Sequence, residues 1–117
     1  MKTISEMTDE ELNNAVAVEV MGWEYGDHFI TGANSYRIVG RKTTTYTKAN
    51  NWYPTTDYNQ VFQVVEKMDY FAVRRHKAGG YWRCICVYQD GLSIGAESAS
   101  APRAICEAAV MAVRESA

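Results

Sequence analysis

The chain has 117 residues, of which 47% are hydrophobic and 22% charged, and its formal net charge is −2. This length and composition predict a single globular domain over 1–117 and leave no room for a second one. Since the N-terminus lacks the apolar run of a signal peptide and no window approaches a membrane span, we expect an intracellular protein with no membrane partner.

The charges are distributed unevenly along the chain. Residues 1–27 hold one base and seven acids, whereas residues 28–56 hold four bases and no acid. The sequence therefore predicts an acidic N-terminal segment followed by a basic one.

A first helix is predicted from Thr8 to Met21, with Gly22 as its end. The Thr8 hydroxyl can accept from the Glu11 amide while the Glu11 carboxylate reaches back, which is a capping box. The apolar side chains at helical spacing, which we expect to be buried, are Leu12, Val16 and Val20.

A β-rich basic excursion is predicted over about 27–52. Phe29-Ile30-Thr31 and Ser35-Tyr36-Arg37-Ile38-Val39 flank Gly32-Ala33-Asn34, a composition typical of a hairpin. Thr43-Thr44-Thr45-Tyr46-Thr47 follows with the composition of a further strand.

The sequence of the C-terminal half predicts a helix, three strands and a second helix, in that order. An amphipathic helix over Asp57 to Met68 precedes three antiparallel strands within Tyr70 to Ser98, and an alanine-rich helix follows over Ala101 to Val113. The strands are separated by turn residues at Lys77-Ala78-Gly79-Gly80 and Gln89-Asp90-Gly91. We predict an α/β fold of the α+β kind, an α-β-α sandwich, with the first helix and both later helices packed on the sheet.

No pattern indicates catalysis or a metal. Cys84, Cys86 and Cys106 have no metal-ligand spacing and are expected in the core, and His28 and His76 stand apart from any ligand set. A Gly-x-Ser-x-Gly elbow and a phosphate loop are both absent. We therefore expect a protein that is not an enzyme and that uses no cofactor.

Cations alternate with aromatic residues in the basic excursion, a composition suited to phosphates and stacked bases. The alternative is a hairpin whose bases keep its edge soluble and whose aromatic residues pack on the domain. The candidate ligand-binding residues are Arg37, Arg41, Lys42, Trp52, Tyr53 and Arg74.

Four blocks in order along the chain resemble the Phage ABA sandwich domain family of small phage proteins. They are Ala15-Val16-Ala17-Val18-Glu19-Val20-Met21-Gly22-Trp23, Tyr53-Pro54-Thr55-Thr56-Asp57 running into Val64-Val65-Glu66-Lys67-Met68, Tyr81-Trp82-Arg83-Cys84, and Ala101-Pro102-Arg103-Ala104-Ile105-Cys106-Glu107-Ala108-Ala109. The resemblance implies a phage or prophage product with helices on the two faces of a sheet. The resemblance supplies no catalytic residues. This sequence departs from the usual members of the family over Phe29 to Asn51.

We therefore expect a non-enzymatic phage accessory protein that acts in the host cytoplasm and inhibits or sequesters a host factor. The favoured partner is a host defence protein such as a CRISPR effector, contacted through the acidic first helix or an exposed aromatic patch. One alternative is a sponge for a nucleotide signal of host defence. Another is a nucleic-acid-binding module, because the order of elements matches the double-stranded RNA-binding domain. A homo-oligomer is a further alternative, because Trp23, Trp52 and Trp82 provide enough aromatic surface for an interface if two of them are exposed.

Overall fold

In a computed structural model, residues 3–28 and 32–116 are described. They form helices and two antiparallel three-stranded sheets, which confirms the α+β fold class. The first sheet has the order β1-β2-β3 and the second the order β4-β5-β6. The elements are a 3-10 turn (Ile4–Glu6), α1 (Asp9–Ala15), a π-helical turn (Val16–Val20), β1 (Glu24–His28), β2 (Gly32–Val39), β3 (Thr44–Lys48), a second 3-10 turn (Ala49–Asn51), α2 (Tyr58–Val65), β4 (Tyr70–His76), β5 (Tyr81–Val87), β6 (Ile94–Ser98) and α3 (Ala101–Ser116).

The predicted capping box begins α1. The Glu11 amide donates to Thr8 Oγ1 at 3.1 Å, and the Thr8 amide donates to Glu11 Oε1 at 2.9 Å. The π-helical turn continues the helix, and Gly22 ends it with a φ of +74°, a conformation that a side chain disfavours. The capping box and the glycine stop are thus both confirmed.

The predicted turn at Gly32-Ala33-Asn34 is wrong, because these residues lie inside β2. Their backbone accommodates an irregularity instead: the register between β1 and β2 shifts between Gly26 and His28, and Asn34 has a φ of +55°. Glycine and asparagine serve bulges as readily as turns, so composition alone does not separate the two. The strand expected at Phe29-Ile30-Thr31 lies outside the described residues.

The second sheet and α3 form the centre of the core. Cys84, Cys86 and Ala96 point from one face of the sheet toward α3 and are buried. Small side chains on the helix allow its backbone to approach the sheet and other helices closely. The buried alanines of α3 are Ala101, Ala104, Ala108, Ala109 and Ala112.

The helices are arranged differently from the prediction within this fold class. The prediction places α2 and the first helix on the sheet, but among the described elements both pack against α3, which is the helix that lies on the second sheet. The amphipathic face of α2 buries Val61, Val64 and Met68. The opposite face of the second sheet has no buried residue among those described.

Arg103 of α3 joins this helix to the N-terminal segment. Its guanidinium donates to Asp9 Oδ1 and to the Met7 carbonyl oxygen, both at 2.6 Å, and to Glu107 Oε2 at 2.9 Å. Glu107 is only 4% exposed. Burial raises the pKa of Glu107, and the hydrogen bond and charge of Arg103 offset part of that rise. The cation therefore compensates a buried acid and anchors the start of α1.

We predict that Arg103→Ala lowers the free energy of unfolding by about 3 kcal/mol, because it leaves the Glu107 carboxylate buried without its cation. The control is Arg114→Ala on the same helix. Arg114 pairs with Glu19 at 2.7 Å on the surface, so its loss should cost less than about 1 kcal/mol. Urea unfolding measures both, and equal losses would contradict this role of Arg103.

A second prediction concerns pH. Because the pKa of Glu107 is raised above its ordinary value of 4.5, the unfolded chain releases this proton at lower pH than the folded protein does. The stability that Glu107 contributes is therefore fully present below pH 4.5 and decreases as pH rises through the folded-state pKa. Glu107→Gln should lack this decrease. Urea unfolding of both proteins across this window tests it, and a stability difference independent of pH would be inconsistent with it.

Candidate functional site

A cleft of about 860 Å³ lies between α1, the first sheet and the segment that follows β3. We call it the α1 cleft. Its volume is within the range of small-molecule sites, roughly 300–1,000 Å³. Its lining residues are Glu10, Glu11, Asn13, Asn14, Tyr25, Asn34, Tyr36, Lys48, Ala49, Asn50, Trp52 and Tyr53.

The base of the cleft is held together by Asn13 and Trp52. Trp52 is buried and its Nε1 donates to the Asn13 carbonyl oxygen at 3.0 Å. The Asn13 side-chain oxygen accepts from the amide of buried Thr55 at 3.1 Å. The Trp23 ring lies 4.5 Å from that of Trp52. These contacts fix α1 against the chain that leads into α2.

One wall is formed by a pair of tyrosines, whose ring centroids are 5.3 Å apart. The Tyr36 hydroxyl donates to Asn14 Oδ1 at 2.9 Å, and the Tyr25 hydroxyl donates to Asn34 Oδ1 at 2.7 Å. Burial, with smaller contributions from Tyr25 and Glu10, raises the pKa of Tyr36 to about 12. Tyr36 is therefore neutral at physiological pH and serves as a hydrogen-bonding group.

The rim of the cleft combines acids with exposed aromatic rings. Glu10 and Glu11 of the first turn of α1 contribute carboxylates, and Lys48 contributes the one cation among the described lining residues. Tyr25 is 48% exposed and Tyr53 is 44% exposed. Carboxylates beside open tyrosine faces suit a ligand that carries positive charge and polar groups.

The structure separates the residues that we predicted to bind a nucleotide. Trp52 and Tyr53 both line the α1 cleft. Arg37 follows Tyr36 in β2, so alternation places it on the other face of the first sheet. There its Nη1 lies 3.8 Å from Glu24 Oε2.

The remaining three candidates lie elsewhere. Arg41 and Lys42 are exposed in the connection between β2 and β3. Arg74 lies on β4 of the second sheet, beside a shallow depression of about 660 Å³ at the β4–β5 turn. Neither cavity therefore contains all six of the predicted residues.

Several residues of the α1 cleft were not identified from the sequence, namely Asn14, Tyr25 and Asn34. The interacting pairs are far apart along the chain, since Asn14 and Tyr36 are separated by 22 positions. One local signal exists: Asn13 and Asn14 are adjacent in a helix, where asparagine is a poor choice without a side-chain partner.

The buried thiols lie away from this cleft. Cys84 and Cys86 Sγ atoms are 3.6 Å apart, and all three cysteines are free and buried. The hydrogen bond with Cys86, together with burial, raises the pKa of Cys84, and burial raises the pKa of Cys106. Among residues 3–28 and 32–116, no group of three or more His, Cys, Asp and Glu is placed to hold a metal ion.

A solved structure of a phage protein from Bacillus cereus ATCC 14579 has the same fold, with a TM-score of 0.69 over 92% of this chain and 89% of that chain. The two sequences are 20% identical, so this likeness concerns the fold. The chain is thus an α+β protein that shares its fold with that phage protein. The Phage ABA sandwich domain matches residues 14–110, and the chain belongs to that family. No curated protein matches it. None of the helices in the described part of the chain has the length and apolar character needed to cross a membrane.

We predict that Asn13→Ala lowers the free energy of unfolding by about 2 kcal/mol, because it leaves the buried Thr55 amide without an acceptor. The neighbouring Asn14→Ala is the matched control. Asn14 is exposed, and water can replace it as the acceptor for Tyr36, so we expect a loss of about 1 kcal/mol or less. Thermal or urea unfolding compares the two, and a larger effect at Asn14 would refute this account of the cleft base.

Proposed function

We propose that this protein is a non-enzymatic phage accessory protein that acts in the host cytoplasm and inhibits a host factor by binding it. The partner that we favour is a host defence protein, of which a CRISPR effector is one example. The contact surface is the α1 cleft, which receives a basic, polar segment of that partner.

One observation carries this proposal. The acidic start of the first helix and an exposed aromatic patch were separate candidates for a protein contact, and both border the same cleft. Glu10 lines it together with Tyr25 and Tyr53, both of which are close to half exposed. Tyrosine is among the residues that contribute most to protein interfaces, and carboxylates add complementarity to a basic partner.

Hydrogen bonds and an ion pair also hold the elements that form the cleft in place. Asp9 is held by Arg103, Asn13 receives two hydrogen bonds, and Tyr36 is bonded to Asn14. A surface held rigidly before binding loses little conformational entropy when the partner arrives. Its groups that remain accessible are those of the rim.

A second candidate function is a sponge for a nucleotide signal of host defence. The observation in its favour is that Trp52 and Tyr53 line a cleft whose volume suits a small ligand. The observation against it is the charge of the cleft, since Lys48 is accompanied there by Glu10 and Glu11. Phosphate groups are repelled by carboxylates, so we rank this candidate second.

We predict that the tagged protein, purified from phage-infected cells and examined by native mass spectrometry, carries a host protein. The double variant Glu10→Lys with Tyr53→Ala should weaken this complex about 30-fold, because it reverses one rim charge and removes an interface tyrosine. The matched control is Glu66→Lys with Tyr58→Ala. It makes the same chemical changes at exposed positions of the α2 region outside the cleft, and it should retain the partner.

An added mass below about one kilodalton with no host protein would contradict contact inhibition and support the nucleotide sponge. In that case Arg41→Ala with Lys42→Ala decides whether the two exposed cations hold the nucleotide. Equal loss of the host protein in the cleft variant and in its α2 control would show that the partner binds elsewhere.

A further inference from the structure

The second sheet has a face that no described element covers. We call it the outer face, and it is opposite the face that packs on α3. None of its ten residues is buried, whereas Cys84, Cys86 and Ala96 on the inner face are. The outer face consists of Tyr70, Ala72, Arg74 and His76 of β4, Tyr81, Arg83, Ile85 and Val87 of β5, and Gly95 and Glu97 of β6.

One half of this face is strongly basic. Residues 70–89 hold four bases and no acid, and three of them, Arg74, Lys77 and Arg83, lie on this face or in the turn at its end, whereas Arg75 lies on the inner face beside Trp82. The register places Arg74 directly opposite Arg83, and Lys77 follows in the turn beside them. Arg83 Nη1 lies 3.3 Å from Glu97 Oε1, but neither Arg74 nor Lys77 has an ion-pair partner among the described residues.

This arrangement is unfavourable for the isolated protein. Like charges directly opposite each other destabilise a strand pair. At the next pair on the same face, His76 and Tyr81, the His76 Nε2 atom is inaccessible to solvent and has no hydrogen-bond partner within the described chain. Two such violations at one end of a sheet are typical of a functional position, and a bound anion would relieve the repulsion between Arg74 and Arg83.

Aromatic rings lie on the same face as these cations. The rings of His76 and Tyr81 are stacked, with centroids 4.6 Å apart and planes inclined by 12°. Tyr70 is 58% exposed at the other end of β4. Tyr70 and His76 are about 20 Å apart along an extended strand, so a ligand that touches both ends spans several nucleotides.

We propose that the outer face binds single-stranded nucleic acid. Arg74, Lys77 and Arg83 contact the phosphates, and bases stack on Tyr81 and Tyr70. Positive charge combined with aromatic platforms on an open sheet is the arrangement that recognises single strands without reading their sequence. This site is separate from the α1 cleft, and either can fail without the other.

The test is fluorescence anisotropy with a labelled twelve-nucleotide oligothymidylate. Three phosphate contacts predict that affinity falls roughly 20-fold when salt is raised from about 50 to about 200 mM. Arg74→Gln with Lys77→Gln should weaken binding about tenfold or more at the lower salt concentration and reduce the salt dependence. Tyr70→Leu should weaken binding about fivefold or more by removing a stacking surface.

The matched control is Lys67→Gln with Arg114→Gln, which removes two cations from the end of α2 and from α3, away from the outer face, and should leave the affinity unchanged. Equal weakening by both double variants would overturn the proposal, because net charge would then account for binding. Binding of thymidine monophosphate as tightly as the oligonucleotide would also overturn it. The absence of binding would overturn it too, and a dimer that Arg74→Gln dissociates would then assign this face to a second copy of the chain.

Discussion

The contacts of Arg103 connect the two halves of this molecule. One guanidinium on α3 binds Asp9, the Met7 carbonyl oxygen and Glu107, and two of these partners are more than ninety positions away in sequence. Since α3 is packed on the second sheet, the N-terminal helix is positioned by the C-terminal core. The guanidinium also offsets the free-energy cost of burying the Glu107 carboxylate. The contacts of Arg103 therefore both stabilise the fold and position the N-terminal helix.

The α1 cleft follows from that connection. Its acidic rim is carried by α1, its tyrosines by the first sheet, and Trp52 by the segment that leads into α2. Hydrogen bonds from Trp52 and Thr55 to Asn13 and from Tyr36 to Asn14 bring the three together. The second sheet contributes little to this cleft and presents its own open, basic face. The molecule therefore has two surfaces of opposite character, one acidic and aromatic, the other basic and aromatic.

The local signals in the sequence predicted the elements well, because they depend on neighbours. Thr8 and Glu11 cap α1, and the turn after β4 reverses the chain as its glycines indicate. Features that depend on register or on distant partners were not predictable in this way. The register shift between Gly26 and His28 accompanies the placement of the expected turn residues inside β2. Asn14 and Tyr36 are distant in sequence and form their hydrogen bond only in the folded chain. The phage family was recognised from four short blocks, but the candidate nucleotide site was chosen by composition, and its cations are not grouped with its aromatic residues.

The central claim is that the α1 cleft is the surface that binds a host protein. The most direct measurement is amide hydrogen exchange of the protein alone and in the complex recovered from phage-infected cells. Our account predicts slower exchange in the complex along α1 and from β3 to Tyr53, with little change in β4 and β5. Protection confined to β4 and β5, with α1 unchanged, would contradict it.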